Sequence, residues 1–458
     1  MPGVCKTWLL ASTRTPCAPW NHGLLPVQLP HEPQERQIGA IALGQEPQVF
    51  RVTRGAALSR LPQVQHFDLR ELEAIRLTSH VLPFRVNDYV INNLIDWDLA
   101  PNDPIYRLVF PSSEMLTPDQ LDILRGAELR GNGALGATVE SIRLELENVL
   151  GASSAPLQIA TPYQQTMGIT HKYQRTILVF PRHGSSCHSN CGYCLRWRQI
   201  SRRSIADWTR SPRVMTDYLA SHPEVNEVII TGGDPLSMRS SLLESWIEPL
   251  ISPNSQVASI RIGTKALSFW PYRFTTDHDH IALLTLFKRV VDSGRAMTLM
   301  SHISHPKELS TPESRDAIRR VRETGAVIRS QAPLARGVND NPNTWSDLWI
   351  DQTRLGIIPH YMFVEKPTGA HRAYAVPLIQ ALDIYRKASA GVLGLARVAR
   401  GPVMSTPDGK VALEGTLQIN SRQMLVTKMI QCRDPGRTGE LAIRACPPEA
   451  TWLTDDDS

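Results

Sequence analysis

From residue 176 onward the chain alternates short β-branched apolar runs with stretches whose apolar residues recur every three to four positions. The first pattern has the period of a strand and the second that of an amphipathic helix. Strands are predicted at 176–180, 227–231, 257–262, 296–301, 326–331 and 357–364. Helices are predicted between them at 214–221, 240–251, 281–293, 312–324 and 345–356, and one more at 376–390. This alternation predicts an α/β fold with a parallel sheet, a barrel or partial (β/α)6 barrel, with function at the carboxyl ends of the strands.

Upstream, Asp68 can cap a helix with Glu71 as its capping-box partner and Phe67 and Leu72 as a hydrophobic staple. Leu69, Leu72 and Ile75 would line its apolar face, and Pro83 sets its outer limit. Segments 117–129 and 137–150 also carry helical spacing, whereas 96–111 is punctuated by prolines and reads as a connector. The first 60 or so residues, rich in Pro, Gly, Arg and Gln, read as irregular. Past Arg397 the chain reads as short β-like segments with an acidic tail at Asp455, Asp456 and Asp457. Three regions follow: 1–165, irregular then helical; 166–396, the barrel; and 397–458, a small C-terminal segment.

Composition bounds the class without naming it. At 458 residues, 42% hydrophobic and 20% charged, the chain is globular. Its 49 basic against 44 acidic residues leave a net charge of +5, too little to mark a nucleic-acid binder by itself. No apolar run approaches a membrane span, and the run from Trp8 to Ala11 is shorter than a signal-peptide core, so a cytoplasmic address is expected. Seven cysteines, an odd number at low density, argue against a secreted disulfide framework. Cys5, Cys17, Cys432 and Cys446 are scattered and read as small apolar residues.

Cys187, Cys191 and Cys194 differ. They stand in F-P-R-H-G-S-S-C-H-S-N-C-G-Y-C-L-R-W-R, directly after the first predicted strand of the barrel. Three thiolates on one loop can hold three corners of an iron–sulfur cube and leave one iron open; a structural zinc site would need four ligands, which His183 or His188 could complete. After the next strand comes I-I-T-G-G-D-P-L. Its paired glycines, Gly232 and Gly233, let backbone approach a ligand, and Asp234 supplies an acceptor for an ammonium.

Together these segments resemble the radical S-adenosylmethionine (SAM) superfamily, and within it the lysine 2,3-aminomutase family. I-R-I-G-T-K at 260–265, H-I-S-H-P-K-E at 302–308 and S-Q-A-P-L-A-R-G-V-N-D at 330–340 are similar to further segments of that family, in its order, and the likeness runs from about Asp103 to Gly415. The resemblance implies a radical SAM barrel in which Cys187, Cys191 and Cys194 hold a 4Fe–4S cluster. Gly232, Gly233, Asp234, Arg261, Lys265, His302 and Gln331 would then bind SAM, which one electron cleaves to a 5′-deoxyadenosyl radical. It also implies pyridoxal 5′-phosphate (PLP), with Lys172 and Arg175 at the phosphate-binding positions of a segment one residue shorter here, and Lys410 as the lysine that bonds PLP. Of the family's four glycines before that lysine, only Gly409 is present. Arg196 matches the arginine that holds the substrate α-carboxylate, and Trp197 stands where the family has another arginine.

Two aspartates pair with the distal ammonium of lysine in that family, and neither is found here. The first position falls on Glu365 or, with a one-residue gap, on Lys366, a cation suited to an acidic side chain; the second falls on Val403. A buried ammonium without a carboxylate costs roughly several kcal/mol, which argues against free lysine. The expected activity is thus a PLP-dependent radical SAM 2,3-aminomutase acting on a small-molecule amino acid substrate other than free lysine. A flavodoxin or ferredoxin is the expected electron donor and a homo-oligomer the expected assembly. Two alternatives stand beside it: radical SAM chemistry without PLP, and a non-catalytic iron–sulfur or zinc protein gripping nucleic acid through Lys172, Arg175, Arg182, Arg196, Arg198, Arg202 and Arg203.

Overall fold

The computed structural model describes residues 49–147, 149, 168–202 and 208–453, which belong to one compact unit. Cys5, Cys17, Arg203, the side chain of Arg202 and the acidic tail lie outside the described residues.

The N-terminal layer is helical, as its spacing predicts. Strands β1 (Val52–Arg54) and β2 (Arg85–Asn87) pair antiparallel around helix Leu69–Val81, so part of the stretch read as irregular is regular, β1 being followed by a 3-10 helix at Gly55–Arg60. The Asp68 side chain accepts the Glu71 amide at 2.8 Å, which starts that helix where a cap was expected. Thr117 and Gln120 close a reciprocal capping box on helix Pro118–Arg130. The next helix, Asn132–Glu147, begins five residues before its apolar spacing does. One expectation fails: 96–111 contains helix Pro104–Val109. Asp103 accepts the amides of Ile105 and Tyr106, and Pro104 takes the first helical position, where a missing N–H costs nothing.

The remainder forms an eleven-stranded sheet. Strand β3 (Ile169–Tyr173) pairs antiparallel with β4 (Thr176–Val179). From β4 the order is sequential and parallel through β5 (Glu227–Ile230), β6 (Ser259–Thr264), β7 (Ala296–His302), β8 (Val327–Leu334), β9 (Ile358–Val364) and β10 (Arg400–Ser405). Then β11 (Gly409–Ile419), β12 (Arg422–Cys432) and β13 (Leu441–Ala445) extend the same sheet antiparallel. All six expected strands are present, separated by helices Pro212–Ser221, Ser240–Ile251, His280–Asp292, Pro312–Glu323 and Pro342–Arg354 and followed by Leu378–Ala390. The C-terminal segment is a continuation of the sheet rather than an appendage.

Strand alternation divides the two faces. Ile177, Val179, Val228, Ile230, Ile260, Ile262, Leu299 and Ile328 pack with the helices in the main core. Their neighbours Thr176, Leu178, Glu227, Ile229, Arg261, Met300 and Gln331 line a cavity on the other face. Among the described residues no helix is long and apolar enough to cross a membrane.

Candidate functional site

The cavity, about 370 Å³, collects every candidate residue except one. Cys187, Cys191 and Cys194, Gly232, Gly233, Asp234, Arg261, Lys265, His302, Gln331, Lys172, Arg196, Glu365, Lys366 and Lys410 all line it. Arg175 does not: it is exposed in the β3–β4 turn, where its carbonyl accepts the amides of Asn226 and Glu227. The segment is one residue short, and that turn carries the second basic position out of the site.

The cysteine loop leaves β4 and is tied down from both sides. The amides of Gly233 and Asp234 donate to Gly184 and Ser186, while Asn190 and Gly192 donate to Arg85 and Leu108 of the N-terminal layer. A Cβ on Gly233 would stand 2.4 Å from the Ser185 carbonyl oxygen, and one on Gly192 would strike the Tyr374 hydroxyl at 2.1 Å, so both close approaches require glycine. Burial pushes all three thiols up, Cys191 to about 12. Such thiols become thiolates only against a strong local cation. A structural zinc takes a closed set of four ligands, whereas a cube held by three thiolates keeps one iron open, so the three-thiolate donor set fits an iron–sulfur cluster better than a zinc ion.

Around this loop most charges are already paired. Asp234 accepts the Thr264 hydroxyl at 2.8 Å and the Lys265 amide at 2.8 Å, so its carboxylate joins the ends of β5 and β6. Lys265 donates to Glu308 at 2.6 Å, a carboxylate also bound by Ser268 and by the Ser304 amide. Arg261 sits deeper and donates to Glu227 at 3.2 Å. His302, held neutral by burial, meets the Tyr193 hydroxyl at 3.0 Å.

The cavity lining also carries Arg196, Lys172, Lys366 and Lys410. Arg196 stacks over Phe180 at 4.6 Å, and its buried Nη1 has no hydrogen-bond partner. Burial lowers its guanidinium to about 10. Lys172 is driven well below the usual lysine range, first by burial and then by Lys366, Lys410, Arg196 and Arg433. Lys366 falls to about 8 by burial and then by Arg196 and Arg433. Lys410 also falls to about 8, chiefly by burial. It is the second residue of β11, its Nζ lies 5.3 Å from the Tyr173 ring centroid and 4.8 Å from that of Tyr361, and it donates to Gln431 at 2.7 Å. A lysine in a P-D-G-K turn is thereby a half-buried group. The acids on the walls are engaged elsewhere: Glu227 by Thr176 and Arg261, Asp234 as above, and Glu365 by His371.

The geometry separates the two readings of the substrate position, because Glu365 turns to His371 while Lys366 joins the cations. Val403 is fully buried beside Tyr361 and Ala412 and supplies no acid. Trp197 donates to Thr368 at 3.0 Å and packs on Gly369, bracing the loop that carries Lys366. Arg433 was missed, since it follows β12 with no motif around it. Of the cations read as a nucleic-acid patch, Lys172 and Arg196 line the cavity, Arg198 is bonded to Glu140 and Glu147, and Arg175 and Arg182 are exposed.

A scan of protein-family profiles finds no match. The chain is 30% identical over 398 residues to a protein of Aquifex aeolicus named "Putative L-lysine 2,3-aminomutase", covering 87% of this chain and 93% of that one. It is 30% identical over 263 residues to the L-lysine 2,3-aminomutase of Escherichia coli, covering 56% of this chain and 72% of that one. With the glutamate 2,3-aminomutase of Clostridioides difficile it shares 24% identity over 216 residues, or 47% and 48% of the two chains. A strand-end cavity with a three-cysteine loop, in a chain with these relatives, defines the class as α/β isomerases of the radical SAM type. Within that class the chain belongs to the lysine 2,3-aminomutase family, as a divergent member. Membership implies a 4Fe–4S cluster and SAM.

Proposed function

We propose that the protein is a PLP-dependent 2,3-aminomutase, built on a partial radical SAM barrel, whose substrate is an amino acid with an acidic side chain. The observation that carries this reading is the group of four cations, Lys172, Arg196, Lys366 and Lys410, on a cavity whose lining carboxylates, among the described residues, are all engaged by other groups.

When bound, the cluster with SAM supplies a radical that abstracts hydrogen at the β-carbon, and PLP carries the migrating nitrogen. Cys187, Cys191 and Cys194 would hold the cluster, and the backbone at Gly232 and Gly233 packs directly on the cysteine loop and sets it at the end of β5. Lys410 would hold PLP: a buried amine near pH 8 exposes its lone pair far more readily than an ordinary lysine. Gln431 fixes its Nζ and the rings of Tyr173 and Tyr361 flank it. Lys172 would face the PLP phosphate in place of the pair expected with Arg175. Arg196, with its buried Nη1, suits the α-carboxylate, which leaves Lys366 for a second carboxylate. A lysine substrate would instead bring an ammonium among like charges. A flavodoxin or ferredoxin would deliver the electron.

The test is anaerobic reconstitution followed by addition of PLP to wild type and Lys410→Ala. A PLP absorbance band fixed by borohydride in the wild type and missing from the variant supports the reading. SAM cleavage with no such band in the wild type moves the protein to the PLP-free alternative.

A further inference from the structure

One group of metal-binding side chains lies outside the cavity. Alternation along β3 turns Thr170 and Lys172 inward, whereas His171 faces helix Pro212–Ser221 and meets the Tyr218 hydroxyl through Nδ1 at 2.9 Å. His222 follows that helix, and Glu224 stands in the turn before β5. One ligand atom from each of His171, His222 and Glu224 lies within 4.8 Å of the other two.

The tautomers are set by chemistry. His171 Nε2 lies 3.1 Å from the Gln174 carbonyl and His222 Nδ1 lies 2.8 Å from the Tyr218 carbonyl. A carbonyl can only accept, so those two nitrogens carry the protons and the lone pairs are His171 Nδ1 and His222 Nε2. An imidazole whose other N–H is held by a carbonyl is the arrangement metal ligands use to fix ring and tautomer. The two rings have centroids 5.5 Å apart and planes at 77°. Two imidazoles on one tetrahedral zinc, with Zn–N of about 2.0–2.1 Å, place their centroids roughly 5 Å apart. Tyr218 stacks on His222 at 4.0 Å and 10°, which holds that ring in place.

We propose that His171, His222 and Glu224 form a divalent-cation site occupied by zinc, with Tyr218 or a water as the fourth ligand. Two neutral imidazoles and one carboxylate suit a borderline cation and not magnesium or calcium, which take oxygen ligands. Metal entry would replace the Tyr218 proton as the partner of His171 Nδ1. The site lies on the sheet face opposite the cysteine loop and would serve structure: among the described residues β3 is the last strand of the sheet, paired with β4, and it carries Lys172 and Tyr173 into the cavity. Zinc would fasten that last strand to the helix and to the β5 turn.

The test uses the full chain with its iron–sulfur cluster reconstituted, so that the cysteines are filled. Zinc sulfate is added and unbound metal removed, then zinc and iron are counted in wild type, His222→Ala and Glu224→Gln, with X-ray absorption at the zinc edge. The expected result is about one zinc per wild-type chain in a shell of nitrogen and oxygen near 2.0 Å. Zinc should be lost in His222→Ala and bound at least tenfold more weakly in Glu224→Gln, a surface change that leaves folding intact, with iron content and SAM cleavage unchanged in both. A zinc-free wild type, a zinc shell containing sulfur, or undiminished zinc in His222→Ala would overturn the proposal.

Discussion

Lys366 and Lys410 both keep an ammonium where burial favours the neutral amine, with values of about 8 against the usual lysine value near 10.4. The consequence for stability has a definite sign. Between about pH 8 and 10.4 the unfolded chain binds more protons at these positions than the folded one, so stability rises with pH across that window. Below pH 8 both states are protonated and the full cost of the buried charges is present. In urea unfolding at pH 7.5, 8.5 and 9.5, Lys366→Met should be more stable than wild type at pH 7.5, with the difference narrowing as pH rises; a difference independent of pH would mean that Lys366 is not a desolvated charge. This scale is also where sequence runs out. Glu365 and Lys366 are adjacent and a one-residue gap exchanges them, so only the bond from His371 to Glu365 decides which charge faces the cavity. Arg433 carries no motif, and its place beside Lys172 and Lys366 depends on strand pairing.

Elements were legible where periodicity had a single cause. The parallel strands, buried by helices on one face and by cavity walls on the other, keep the β-branched runs that mark them. β3 was missed because I-T-H-K-Y alternates with polar residues that serve the cavity and the helix. β10–β11 and β11–β12 are local hairpins, with Ser405 paired to Lys410 and Ile419 to Arg422, whereas the parallel pairing of β10 on β9 that joins them to the sheet is a long-range contact. The glycine pair after β5 was readable as a close approach, and the structure gives its cost: in Gly233→Ala the new methyl would meet the Ser185 carbonyl at 2.4 Å, with backbone on both sides. The cysteine loop must then move. Iron bound after reconstitution should fall severalfold in this variant while the circular dichroism of the sheet and helices stays unchanged, and full iron content would contradict the role given to this turn.

In the whole molecule the N-terminal layer serves as the clamp of the cysteine loop, a role that composition could not reveal. Cys191, Cys194, Tyr193 and Trp197 pack in the same cluster as Leu58, Ile75, Tyr106 and Phe110. Asn87 is the polar joint: fully buried, it accepts the Val90 amide, donates to the carbonyls of His188 and Phe269, and its own amide donates to Ser189. Asn87→Ala should destabilise the protein by about 2–3 kcal/mol in urea titrations, since those groups stay buried without partners. It should also lower iron retention; a neutral variant with full iron would detach the layer from the loop. The central claim, that the cavity selects a second carboxylate, is tested most directly by product analysis. Reconstituted enzyme with SAM, PLP and a one-electron reductant is offered equimolar glutamate, aspartate and lysine, and the β-amino acids formed are counted by mass spectrometry, with Lys366→Asp alongside. The account predicts β-amino product from an acidic substrate, none from lysine, and at least a tenfold loss of the acidic product in Lys366→Asp. Wild-type conversion of lysine in preference to both acids would contradict it.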